Sequence, residues 1–340
     1  MTRSAVIKIV ELSLIALMLL VSPAAGAAES LEIKIATLAP EGSSWMNTFE
    51  AINAEVSKKT NTEVRFKFYP GGILGDEKDM LRKMHIGQIH GAALTSAGLS
   101  AIFGEMDVFQ IPFLFQSYDE VDFVISEMNG FFREGFEKNE HVLLGWSEGG
   151  FVRLMSTTPI ATLDDLKKVK VWTWADSPMT KAIFDEANIS AIPLSIPDVL
   201  VGLQTGLVDV VYAPPTGAIS LQWFTKIKYM TDVNLIYLIG AVVIKKKMFE
   251  KISPDHREIL MDTCGRQLAQ LKTTIRKENQ EAIQVLVNHG VKIINPTPEQ
   301  VADFIHVSEK AMQKLEGKSF SKKVRDEVTA KIEAYRKKNP

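Results

Sequence analysis

The chain has 340 residues, 46% of them hydrophobic and 24% charged, with a formal net charge of −2. That length exceeds what one core organises and suits two domains. The composition is that of a soluble globular protein, and the near-neutral balance gives no electrostatic case for nucleic acid or an anionic membrane surface.

The first element is a leader. Arg3 and Lys8 precede an apolar run at 12–21, Pro23 breaks it, and Ala25-Gly-Ala27 supplies an A-x-A cleavage site. An apolar core of about 10 residues is half of the roughly 20 that a spanning helix needs. Residues 1–27 are therefore expected to be a secretory signal, cut after Ala27, and the remainder exported and soluble. No cysteine follows the apolar run, so a lipoprotein signal is excluded. The single cysteine, Cys264, permits no disulfide within the chain and reads as a small buried hydrophobe in a helix-like run.

After the leader, 31–37 (LEIKIAT) alternates apolar and polar as a strand does, and 43–59 spaces Trp45, Phe49, Ile52 and Val56 along a helix. Residues 63–69 alternate again and stop at Pro70-Gly71-Gly72. A helix over 76–86 capped by Asp76 and a short apolar strand at 89–95 complete a βαβαβ unit, which implies a mostly parallel sheet with helices on its faces. A helix at 118–137 follows. Strands at 141–146 and 151–155 flank Gly149-Gly150. A helical turn at 163–167, a strand at 168–174, a helix at 178–188, a strand at 190–194, a helix at 196–205 and a strand at 208–212 form a second unit. A long apolar strand at 233–244 precedes a helical stretch over about 254–289 that a break could divide in two. A strand at 291–295 and helices at 298–315 and 321–337 end the chain.

The fold class is thus α/β, two lobes about a central cleft. Lobe 1 is placed at 28–150 with a return near 233–275. Lobe 2 is placed at 151–232, with helices in 276–340 packing across both. In such sheets ligands bind outside the carboxyl ends of the strands.

The enzyme case is thin. Gly145-Trp-Ser147-Glu-Gly149 matches G-x-S-x-G, but a nucleophile elbow needs a helix after the serine, and a second strand pattern follows instead. A secreted Ser147 hydrolase is the alternative of another class. The six histidines show no metal-ligand spacing, and there is no G-x-x-x-x-G-K-[ST] or G-x-G-x-x-G. No catalytic, metal or cofactor site is expected.

Five segments in order resemble the solute receptors of TRAP transporters, the DctP-type family. They are Ile35-Ala-Thr-Leu-Ala-Pro40 with Trp45; Pro70-Gly-Gly-Ile-Leu-Gly75-Asp76-Glu77; Ile111-Pro-Phe-Leu-Phe115; Leu163-Asp-Asp-Leu-Lys167 with Lys170-Val-Trp172; and Pro193-Leu-Ser-Ile-Pro-Asp-Val-Leu200 running into Leu203-Gln-Thr-Gly-Leu-Val-Asp209. The resemblance spans roughly residues 33–250. It implies a periplasmic-binding-protein fold whose lobes close on a small solute. It also implies delivery to a small and a large membrane permease subunit, with a periplasmic accessory protein as a further partner left open.

The chain departs from that family at two places. Family members resembling this chain carry K-[IL]-R-[VAM] after the D-L-K turn, where the arginine clamps a carboxylate; here Trp172 stands at its place. They carry Q-E-N-P after G-x-V-D; here Tyr212 and Ala213 replace the acid and the amide. An apolar and aromatic wall is therefore expected from Trp172, Trp174, Tyr212, Ala213, Phe113, Trp45, Trp223 and Tyr237, suited to an apolar or aromatic solute. Trp172 and Trp174 share a face by strand alternation. Arg153 is the candidate anchor for an organic acid if it, rather than Val152, faces the cleft. Glu77, Glu41 and Asp176 are candidate anchors for a cationic or hydroxylated solute, against the competing reading of plain surface exposure.

Overall fold

A computed structural model describes residues 30–174 and 177–339. The expected signal segment 1–27 with its cut after Ala27, and Asp176, lie outside the described residues.

The first lobe opens with β1 (Leu31–Thr37), whose alternating residues bury Ile33 and Ile35. Helix α1 (Ser44–Lys59) follows, capped by Ser43, whose side chain accepts from the Met46 amide. Then come β2 (Val64–Tyr69), α2 (Glu77–His85), β3 (Gly91–Thr95) and α3 (Ser96–Ile102), with a 3₁₀ stretch at Gly104–Gln110. Helix α4 (Tyr118–Lys138) leads into β4 (His141–Ser156).

The second lobe adds α5 (Leu163–Leu166), β5 (Val171–Trp174), α6 (Pro178–Glu186), β6 (Ala191–Leu194), α7 (Val199–Thr205), β7 (Val210–Ala213), α8 (Pro215–Ser220) and β8 (Tyr229–Thr231). The chain returns through β9 (Ile236–Lys245), α9 (Lys246–Phe249), α10 (Pro254–Asn288), β10 (Lys292–Ile294), α11 (Pro298–Leu315) and α12 (Lys322–Lys338).

The hydrogen-bonded strand order is β2-β1-β3-β9-β4-β7-β5-β6, with β8 beside β4 and β10 beside β8. Strands β1, β2 and β3 run parallel, and β9 lies antiparallel to both β3 and β4. Strand β4 belongs to both lobes. Its residues 141–152 pair with β9, and Arg153–Ser156 pair with β7.

Two strands were expected where this one strand runs. The ladder survives Gly145 and Gly149-Gly150 because the irregular residues are taken up as register shifts at Leu143/Gly145 and Glu148/Gly150. Gly150 has φ +100°, and a Cβ there would lie 2.5 Å from Asn279 Nδ2 and 2.8 Å from the Tyr118 hydroxyl. Asn279 comes from α10 and donates to the Gly149 carbonyl at 2.7 Å, so the long helix is tied to the point where β4 changes lobe.

Helix α10 is a single helix of 35 residues, not two. Its buried stripe (Leu260, Cys264, Leu268, Leu271, Ile275, Ala282, Leu286) keeps helical spacing throughout, so nothing in the pattern forces a break. Cys264 is buried as expected, and burial pushes its thiol up to about 12. Helix α10 packs on α1, β4 and α8, touching both lobes; α11 packs on α6, and α12 on α4. Among the described residues no helix is long and apolar enough to cross a membrane.

Candidate functional site

Between the lobes lies a cavity of about 160 Å³. Lobe 1 contributes Leu38, Pro40, Trp45, Phe49 and Leu94, and the two crossing strands supply a floor of Ser147, Gly149, Val152, Ile236 and Leu238. Lobe 2 contributes Trp172, Trp174, Tyr212, Ala213, Leu221 and Trp223.

The indole pair has the predicted geometry. Alternation in β5 turns Trp172 and Trp174 to one face, and both line the cavity. Trp172 is 1% exposed. It lies against Tyr212 (ring centroids 4.6 Å, planes 31° apart) and edge-on to Trp223 (5.5 Å, 73°), contacts that fix it as a rigid wall. Its Nε1 donates to the Leu194 carbonyl at 3.1 Å. With that donor spent, Trp172 offers a ligand its ring and no hydrogen bond. Trp45 is spent in the same way, donating to the Glu148 carbonyl at 3.0 Å.

Trp174 reaches across the cleft. Its Nε1 donates to Asp76 Oδ2 at 2.9 Å, and the Ile196 amide donates to the same oxygen at 3.2 Å. Asp76 belongs to lobe 1 and also caps α2 through the Glu77 amide (2.7 Å). One carboxylate thus joins the lobes at the rim, and the cleft is closed there. Sequence reasoning assigned Asp76 only its cap. Its second oxygen is recruited by tertiary contact, for which the sequence carries no signal.

Electrostatically the cavity is poor. Among the described residues lining it there is no lysine, arginine or histidine, and Glu148 is the one charged residue. Burial pushes the Glu148 carboxyl above the usual range, while the guanidinium of Arg276, at 2.9 and 3.0 Å, pulls it back; Tyr237 also donates to it. Arg276 in turn bonds both oxygens of Asp122 at 2.7 Å, and Lys272 bonds Asp122 at 2.7 Å. These four charges neutralise one another behind the wall. The other polar lining groups include Thr95, which donates to Glu77, and Gln110, which donates to Asp107 at 2.7 Å.

Five expected site residues lie off this lining: Arg153, Tyr237, Phe113, Glu41 and Glu77. Arg153 follows Val152, so alternation turns it to the other face of β4, where it pairs with Asp232. Val152 is the residue that meets the cavity. Tyr237 sits between Ile236 and Leu238 on β9 and is likewise turned away, into the lobe 1 core. Phe113, with φ +60° and its amide bonded to the Leu235 carbonyl at 2.8 Å, lines a separate smaller chamber. Glu41 is exposed.

Glu77 is 3% exposed and turned inward, accepting from the Thr95 amide (2.6 Å), the Thr95 hydroxyl (3.1 Å) and the Gly98 amide (2.7 Å). It staples α2 to the start of α3. Burial, with the neighbouring Asp76 charge, raises it from 4.5 to about 7 against those donors. A folded-state value above the unfolded one means that the folded protein holds the proton longer. The contribution is complete below about pH 4.5 and is lost as pH rises towards 7, amounting to roughly 3 kcal/mol. In urea titrations between pH 4.5 and 7.5, the stability of the native protein is expected to fall with pH relative to Glu77→Gln. Parallel curves for the two proteins contradict this.

Ser147 lines the cavity but lies inside continuous β4, not at a strand-to-helix turn. No histidine lines the cavity among the described residues, so the hydrolase constellation is not assembled around it.

Comparison with known proteins gives the same frame. The family model described as bacterial extracellular solute-binding protein, family 7 (DctP), matches residues 35–319. The 2,3-diketo-L-gulonate-binding periplasmic protein of Escherichia coli K12 is 25% identical over 246 residues, covering 71% of this chain and 74% of its own. A sugar acid binding protein from Advenella mimigardefordensis, solved with galactonate, superposes with a TM-score of 0.84 at 19% identity, covering 90% of this chain and 99% of its own. A TRAP periplasmic solute binding protein from Ralstonia eutropha H16, solved with (S)-2-acetolactate, also gives 0.84, at 23% identity and the same coverages.

Proposed function

Because the chain belongs to the DctP family of bacterial extracellular solute-binding proteins, the TRAP-type receptors, we propose that its solute is a small, largely apolar or aromatic molecule. The exported form begins after Ala27 and delivers that solute to a small and a large membrane permease subunit. The observation that carries the ligand class is the lining itself. Trp172 occupies the place where the family pattern has its arginine, and no basic side chain reaches the cavity among the described residues. A carboxylate buried there without a partner would cost several kcal/mol, whereas an aromatic ring meets ring faces and aliphatic groups over most of the lining. Lobe closure follows if the solute binds the closed form better than the open one.

A second reading, an organic acid, is favoured by the ligands of the relatives above, which are acids. In this chain it would require Arg153 to leave Asp232 and turn to the cleft. Thermal shift separates the two. The apolar reading expects 4-ethylphenol to raise the melting temperature equally in the native protein and in Arg153→Ala. Stabilisation by succinate or galactonate that disappears in Arg153→Ala establishes the acid reading instead.

A further inference from the structure

Behind the main cavity, inside lobe 2, is the second chamber, of about 90 Å³. Its walls include Phe113, Leu163, Ile183, Phe184, Phe304 and Val307, from the loop after the 3₁₀ stretch and from α5, α6 and α11. Four residues, Val152, Thr180, Tyr212 and Ile236, line both spaces, so the partition is one side chain thick. The Tyr212 ring lies 4.6 Å from the Trp172 ring on the main-cavity side and 6.5 Å from Phe184 on the chamber side. Val152 and Ile236 stand on β4 and β9, the strands that cross between the lobes.

The hydroxyls that line the chamber are already engaged within the protein. Ser308 donates to the Phe304 carbonyl at 2.8 Å, the Thr180 hydroxyl pairs with that of Thr173 at 2.9 Å, and the Tyr212 hydroxyl accepts from the Trp174 amide at 3.1 Å. No charged residue lines it among the described residues. Such a lining gives water too few partners and suits hydrocarbon. Taking a methylene as about the size of a water, whose share of liquid volume is about 30 Å³, the chamber has room for about three.

We propose, resting on the apolar reading of the main cavity, that this chamber receives the alkyl tail of a solute whose ring lies between Trp172 and the floor strands, with Tyr212 as the partition that yields to it. The receptor then selects alkyl-substituted rings over bare ones, and selectivity is set by the chamber, not by the indole wall.

The test is a titration of the native protein with phenol, 4-ethylphenol and 4-butylphenol, followed by tryptophan fluorescence. Each added methylene is expected to tighten Kd about fourfold, so butyl binds about 15-fold more tightly than ethyl. Ile183→Phe and Val307→Phe, which fill the chamber from two different helices, should remove that gain while phenol binds as before. If phenol binds and the longer tails gain nothing in the native protein, the tail chamber is wrong and the ring reading stands. A gain that persists in both filled variants places the tail elsewhere and also overturns it. Failure of all three phenols to bind removes the ring reading and this inference with it. The chain-length series needs no variant, so misfolding of either one leaves the proposal testable.

Discussion

Trp172→Ala is expected to lower the unfolding free energy by about 3–5 kcal/mol, the range for a buried tryptophan cut to alanine. The indole is almost wholly buried, closes on Tyr212 and Trp223, and holds the Leu194 carbonyl through its Nε1. Removing it deletes the apolar contact, leaves a void beside a cavity that already exists, and orphans a carbonyl acceptor. Urea denaturation reads the loss as a lower midpoint at an unchanged slope. A loss under about 1 kcal/mol would mean that the ring is a replaceable surface covering. Trp172→Arg carries the opposite ligand expectation. It places a guanidinium where the family pattern has one, among rings that offer it no counter-ion. Succinate should therefore stabilise this variant and leave the native protein unmoved.

The second large effect lies behind the wall. Arg276→Leu should cost about 3–5 kcal/mol, because breaking a buried pair from one side leaves an uncompensated charge. The Glu148 side chain is fully buried, and its partners are Arg276 and Tyr237. Without Arg276, the main pull that lowers Glu148 is gone, and only the Tyr237 hydroxyl and the charge of Lys272 still oppose burial. Its folded-state value then lies further above the unfolded one, and the variant loses stability relative to the native protein as pH rises above the usual carboxylate range. Removing both charges, in Arg276→Leu with Glu148→Leu, should cost less than Arg276→Leu alone, because no lone charge remains. Equal or additive losses in urea unfolding at pH 7 would refute the coupling. The consequence for function is local, since the Glu148 carbonyl holds the Trp45 indole at the cavity edge.

Much of the architecture was legible because the elements obey local rules. Strand β1 spans the residues that its alternation marks, and α11 spans the 298–315 expected for a helix there. The single long β4 was not legible. Gly149-Gly150 is ordinarily a chain reversal, and only the ladder to β9 and the contact from Asn279 keep it extended. The short helices α3 and α8 were missed because they are too brief to show a period, yet α8 carries Gly217 and Ser220 to the cavity.

For the site, parity in a strand was the decisive signal and was used once. It paired Trp172 with Trp174 correctly. Applied to β9 it would also have set Tyr237 aside, since Ile236, Leu238 and Gly240 alternate onto the lining. Applied to β4 it separates Val152 from Arg153. Glu77 was out of reach by such means. Whether a carboxylate one residue past a cap looks outward or inward depended on the amides of Thr95 and Gly98 arriving from another element.

The class of solute is tested by calorimetric titration of the native protein. 4-Ethylphenol is expected to bind with a negative heat-capacity change, the mark of apolar burial, and at 100 times Kd to add about 2.7 kcal/mol of stability, while succinate and galactonate give no heat of binding. Saturable binding of either acid, with none of the phenol, would contradict it.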